Sequence, residues 1–395
     1  MHLTIVSPFP PAITGIGQYG YHITRALAKS GLFTRVTVLA GGATGSISPN
    51  HLGITEVDYC WAPGQLNARQ AIVSRVKRLN PDLVWFNLGA SVFGKSPWLN
   101  VSGLLSPKFV QQMGIPTVTT LHELVELADL RALNAPGGSF AMWGARLLTR
   151  ITTNADVVCL TMGHYAEWLA ARQVDCMHIP IGAYHEPELL EELPTQELLF
   201  FTTLAPYKGL ELLLEAFPAL RTEFPQLRLT IAGAEHARCP DYACELKART
   251  CGVQGIQWLG QAAEDDVKDL FRRAQIVVLP YVASTGSSSV LYQAATWGRA
   301  IVASDLQEIC ALTSENNLQV EFFKTGNVES LRNAIRALLD SPARRSAQTL
   351  HNFNSIQRTR PAETSRHYIE AFNRALAKHQ RPQRLLAVRA EIESA

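Results

Sequence analysis

The sequence predicts an α/β protein built from two doubly wound domains in tandem, and three observations carry that reading. At 395 residues the chain exceeds the size at which a single hydrophobic core keeps growing. Short β-branched runs alternate with stretches of helical period, the mark of parallel sheets covered by helices on both faces. The alternation breaks in the acidic, proline-bearing stretch 182–197 and then restarts, as it does at a linker between domains.

Taken in order, the first half offers strands at 3–7, 36–39, 83–87, 117–121, 157–160 and 178–180, with helices expected at 17–30, 68–79, 101–113, 140–152 and 164–172. After the linker come strands at 198–202, 227–232, 256–259, 276–280, 300–303 and 319–323. The helices of this half are expected at 209–217, 240–251, 264–274, 289–297 and 328–340. A last amphipathic helix covers 363–378, and the polar tail beyond it is expected to fray. The domain reading is therefore 1–185, 186–360, a C-terminal helix within 361–380 and a tail at 381–395.

Composition narrows the partners. With 47% hydrophobic and 18% charged residues and no run of 18 apolar residues, no membrane span is expected. Met1 leads directly into the first strand without the regions of a signal peptide, so a cytoplasmic protein is expected. The seven cysteines are scattered and read as free thiols. Cys239, Cys244 and Cys251 lie close together but lack a CxxC pair, so no metal site is expected. A net charge of +2 gives no reason to expect nucleic acid. Residues 1–185 carry 13 Lys+Arg against 9 Asp+Glu, which suits either an ordinary solvated surface or a peripheral contact with an anionic membrane face.

Doubly wound sheets bind ligands at the loops that follow strands, and two in tandem frame a cleft between those edges. Gly15 and Gly17 lie in the first such loop, where glycines allow close approach to a ligand at a helix N-terminus. The pattern lacks the third glycine and the acidic residue of a dinucleotide fingerprint. His122, with Glu123, follows the strand 117–121, where a neutral imidazole can make one hydrogen bond to a ligand hydroxyl. Lys208 precedes Gly209 at the start of a helix, and a cation there opposes the helix dipole unless it serves a bound anion. The loop 283–289 holds Thr285, Gly286, Ser287, Ser288 and Ser289 ahead of a helix, offering hydroxyls and free N–H groups to a diphosphate.

Read together, these loops resemble the retaining GT-B glycosyltransferases of group 1, or family 4. The resemblance also rests on Ile179-Pro180-Ile181-Gly182, Ile231-Ala232-Gly233, Leu259-Gly260, Val278-Leu279-Pro280, the stretch 293–305 and Gly326-Asn327-Val328. It implies a GT-B fold, two doubly wound Rossmann-like domains facing each other across a cleft, with the nucleotide in the second and the last helix returning to the first. It implies no cofactor and no metal, with His122 and Lys208 as catalytic groups. Donor-binding residues carried over by the motifs are Gly15, Gly17, Thr203, Lys208, Thr285, Gly286, Ser287, Ser288, Ser289 and Gln293.

Three of these depart from the family pattern. Thr203 stands where the family has an arginine on the diphosphate, and Thr285 and Gln293 stand where it has glutamates on the hexose and the ribose. Arg272, Arg273 or Arg299 is a candidate for the missing cation. The implied function is transfer of a hexose from a nucleotide-diphosphate sugar to a sugar, lipid-linked or small-molecule acceptor with retention of configuration, in cell-surface polysaccharide or glycosylated metabolite biosynthesis. The implied place is the cytoplasm, or the periphery of the inner membrane face. The alternatives are a catalytically degenerate GT-B protein that binds or regulates a partner, and an epimerase or phosphorylase of similar architecture.

Overall fold

The computed structural model describes residues 1–11, 14–42, 47–49, 55–94, 96–127, 139–236, 239–284 and 286–379. They form two compact units. Residues 1–127, 139–181 and 361–379 make the first, and the described residues of 182–360 make the second.

The first unit runs β1 (His2–Pro8), α1 (Gly15–Lys29), β2 (Arg35–Gly41), β3 (Ile47–Pro49), β4 (Thr55–Trp61), α2 (Ala68–Leu79), β5 (Leu83–Leu88), α3 (Pro97–Leu104), α4 (Ser106–Gln111), β6 (Thr117–Leu121), α5 (Ser139–Thr152), β7 (Val157–Leu160), α6 (Gly163–Ala170) and β8 (Cys176–His178). Its sheet has the order β3-β4-β2-β1-β5-β6-β7-β8. The strands pair in parallel apart from the short antiparallel β3. All six residues of β5 are buried, because a central parallel strand is covered on both faces. The order reverses at β1, so the C-terminal ends of β1 and β5 flank a topological switch point.

Three features of this unit differ from the sequence expectation, the short β3 at Ile47–Pro49 being one. β4 was missed, because its outward-facing acids hide an alternating strand: Glu56 pairs with Arg35 at 2.7 Å and Asp58 with Arg75 at 2.7 Å. The helix expected over 101–113 is two helices, since Pro107 lacks the N–H that would continue the ladder and instead sits in the first turn of α4.

The second unit runs β9 (Glu197–Phe201), α7 (Leu210–Glu223), β10 (Arg228–Ala232), α8 (Tyr242–Arg249), β11 (Ile256–Gly260), α9 (Val267–Arg273), β12 (Ile276–Leu279), α10 (Ser289–Thr296), β13 (Ala300–Ser304), α11 (Gln307–Glu315), β14 (Glu321–Phe323), α12 (Val328–Leu339) and α13 (Pro342–Ile356). Its parallel sheet has the order β11-β10-β9-β12-β13-β14, which puts the switch point at the ends of β9 and β12. The core packs Phe200, Leu213, Phe217 and Ile231 with Ile335 and Leu338 of α12. α11 and α13 were not expected. α13 conceals itself by burying polar side chains: Gln348 accepts from the Ile301 N–H at 2.6 Å, and Asn352 accepts from the Gln319 N–H at 2.7 Å.

The last helix, α14 (Pro361–Lys378), belongs to the first unit. Tyr368, fully buried, shares hydrogen bonds with Tyr19 of α1 at 2.7 Å and Thr120 of β6 at 2.8 Å. Arg374 and Lys378 pair with Asp175 at 2.6 and 2.7 Å. Among the described residues, no helix is long and apolar enough to cross a membrane.

Candidate functional site

The switch point of the first unit is a closed network of side chains. Asn87, in β5, is fully buried. Its Nδ2 donates to Ser7 Oγ of β1 and to the Ile16 carbonyl, each at 2.9 Å, and its Oδ1 lies 2.7 Å from Nε2 of His122. The Tyr19 ring meets the imidazole edge to face, with centroids 4.9 Å apart. Burial lowers the His122 pKa to about 4, so the ring is neutral at neutral pH. Gly20 is required here: a Cβ would fall 2.4 Å from Ser7 Oγ and 2.8 Å from Asn87 Nδ2.

Beside this network, α1 is capped by Thr14, whose side chain accepts from the Gly17 N–H at 2.9 Å. The Gly17 amide is therefore occupied. Gly15 is open, with nothing near the place of a Cβ.

The switch point of the second unit is built from backbone and a cation. After β9 the turn Pro206–Lys208 ends at Gly209, whose φ of 66° suits glycine and whose Cβ would lie 1.9 Å from the Pro280 carbonyl oxygen. That close approach lets the Tyr207 carbonyl accept from Val282 at 3.0 Å and from Ala283 at 3.3 Å, joining the two loops. Lys208 Nζ then sits 3.8 Å from the centroid of the Tyr281 ring. Tyr281 is buried, and its hydroxyl lies 3.4 Å from Ser288 Oγ.

The loop continues through buried Gly286, half-buried Ser287 and buried Ser288 into α10. Thr285 lies outside the described residues. Ser284 Oγ donates to the Gly286 carbonyl at 3.2 Å, and the Ser289 hydroxyl is hydrogen-bonded to Tyr184. The N-cap residue Ser288 makes no side-chain capping hydrogen bond to α10, so the Ser289 and Val290 N–H groups stand at the positive end of the dipole, a place that suits an anion. Gln293 is buried, and its side-chain amide has no hydrogen-bond partner among the described residues. Residues 195–341, which contain this site, match the family model described as Glycosyl transferases group 1.

Curated relatives include two phosphatidyl-myo-inositol mannosyltransferases. That of Propionibacterium freudenreichii subsp. shermanii is 27% identical over 138 residues, 35% of this chain and 33% of the relative. That of Mycolicibacterium smegmatis is 29% identical over 140 residues, 33% of this chain and 35% of the relative. The chain spans about a third of the length of these curated relatives. Among solved structures, sucrose-phosphate synthase from Thermosynechococcus elongatus superposes with a TM-score of 0.72 at 16% identity, covering 96% of this chain and 100% of the other. Anabaena HepE in complex with UDP-glucose gives 0.68 at 16% identity, covering 94% and 98%. These likenesses establish the fold as the two-domain α/β GT-B type.

The arginines offered as substitutes for the missing clamp are not placed for it. Arg299 is buried and donates to the Leu190 and Glu191 carbonyls at 2.7 and 3.1 Å. Arg272 and Arg273 close α9, which feeds the N-terminal end of β12, about 13 Å of strand away from the loop beyond its C-terminal end. Thr203 lies half-buried just beyond β9. Sequence reading missed Asn87, Gly20 and Tyr281.

Proposed function

We propose that this chain is a glycosyltransferase that moves a hexose from a nucleotide-diphosphate sugar to an acceptor, with retention of configuration and without a metal. The observation that carries the reading is Lys208, held on Tyr281, whose hydroxyl lies 3.4 Å from Ser288 at the start of α10, inside the segment that matches group 1 glycosyl transferases. Charge grows on the diphosphate as the sugar leaves, and a fixed cation with fixed N–H dipoles stabilises that charge more than the ground state. The residues of 280–289 carry no carboxylate to oppose it. Gln293 serves the ribose hydroxyls, and His122 accepts from a sugar hydroxyl. The mannosyltransferase relatives support transfer of a hexose, and the solved complex of HepE with UDP-glucose supports a nucleotide-sugar donor. A sugar or lipid-linked acceptor in cell-surface polysaccharide assembly fits the same relatives, and the basic first half suits work at the inner face of a membrane.

A screen of nucleotide sugars, followed by mass spectrometry for released nucleoside diphosphate and a glycosylated acceptor, tests the reading. Absence of transfer, with nucleoside diphosphates still raising the melting temperature, would favour the second reading, a binding or regulatory protein. The neutral Thr203, Thr285 and Gln293 motivate that alternative.

A further inference from the structure

We infer that Asn87 is a positioning residue that fixes His122 as the Nε2–H tautomer and leaves Nδ1 as a hydrogen-bond acceptor, so that His122 receives a ligand hydroxyl and not a phosphate oxygen. The ligand's part in this rests on the functional reading above; the tautomer rests on geometry alone.

The orientation of the Asn87 amide is determined by its partners. The Ile16 carbonyl, 2.9 Å from Nδ2, can only accept. Ser7 Oγ, also 2.9 Å from Nδ2, spends its own proton on the Pro8 carbonyl at 2.6 Å. Both Nδ2 protons are thus engaged, and a flipped amide would set oxygen against oxygen at Ile16. The atom facing His122 is therefore Oδ1, an acceptor, and Nε2 at 2.7 Å must carry the proton. A neutral imidazole has one N–H. Nδ1 is then bare, and it has no hydrogen-bond partner among the described residues.

The surroundings preserve this state. The ring stays neutral because it is desolvated, and Tyr19 packs against its face or edge at 4.9 Å, which resists rotation. β1, α1, β5 and β6 all contribute to the network, and Gly20 leaves room for it. Packing alone would be served by an apolar residue in place of Asn87, without burying an amide. A phosphate oxygen meeting Nδ1 would place two acceptors together, whereas a hydroxyl donates.

The test uses the full chain carrying 15N-labelled histidine, without substrate. Long-range 1H–15N spectra at pH 7, with His122 assigned by the signals lost in His122→Gln, should show a protonated Nε2, an unprotonated Nδ1 and an Nε2 proton protected from exchange. Asn87→Ala should lose that proton signal to exchange with water. A protonated Nδ1 in the unaltered chain, or an Nε2 proton unaffected by Asn87→Ala, overturns the inference; if that variant fails to fold, the spectrum of the unaltered chain decides. A chain that shows this tautomer but transfers no sugar would sink the functional reading and leave the tautomer standing.

Discussion

At the switch point of the first unit the polar side chains are tied to one another, whereas at that of the second the side chains of Lys208 and Gln293 have no polar partner among the described residues. Ser7, Asn87 and His122 satisfy each other and leave one lone pair. Lys208, by contrast, rests on a ring face, α10 has no side-chain cap from Ser288, and the Gln293 amide has no described partner. A buried network must be complete to be stable, so it can present only a single, directed hydrogen bond. Open amides and a cation suit the anion of the function proposed above. In the proposed function the first arrangement reads the direction of a hydrogen bond, and the second reads charge.

The largest way to break this comparison is Gly209→Ala. A left-handed backbone and a Cβ 1.9 Å from the Pro280 oxygen should cost roughly 3–4 kcal/mol of the second unit's stability, read from urea unfolding. Wild-type stability would mean that the two loops are not joined as described.

His122 sharpens the other side. Burial holds its folded pKa at about 4, below the 6.5 of a free imidazole, so the unfolded chain takes up the proton first. Stability should therefore fall as pH drops from about 6.5 toward about 4, by roughly 3 kcal/mol at the bottom of that window. His122→Gln should flatten this part of the curve of unfolding midpoint against pH, and parallel curves would show that the ring is not desolvated.

Smaller effects concern binding. Lys208→Ala should weaken a nucleoside diphosphate by about 1.5–3 kcal/mol, the worth of a hydrogen bond to a charged group; unchanged calorimetry removes Lys208 from the site. Gln293→Ala should cost about 0.5–1.5 kcal/mol. Gln293→Glu should keep or strengthen nucleotide binding, since a charged acceptor makes the stronger bond. Complete loss of binding in a folded Gln293→Glu protein would show that the amide does not face the ribose.

Most strands were legible because central parallel strands are continuous apolar runs, as β5 and β12 are. β4 and α13 were not, because salt-bridged acids in one and buried amides in the other blur the period. Lys208 and His122 could be singled out by their places after strands. Asn87 could not: its meaning lies in Ser7, 80 positions before it, and His122, 35 after it. The visible trace was a polar residue near the end of the apolar run Leu83–Leu88, and Tyr281 and Gly20 left even less.

The return of α14 to the first unit has a consequence for synthesis. Tyr368 and Phe372 are fully buried there, yet they emerge from the ribosome after every residue of the second unit. The first unit must wait with the place of α14 uncovered while the second is completed, so the order of folding inverts the order of the chain. Closing so distant a contact is slow, and a fragment ending at residue 360 should expose the faces of α1 and β6 that the helix covers, leaving a sticky nascent chain rather than a smaller stable domain.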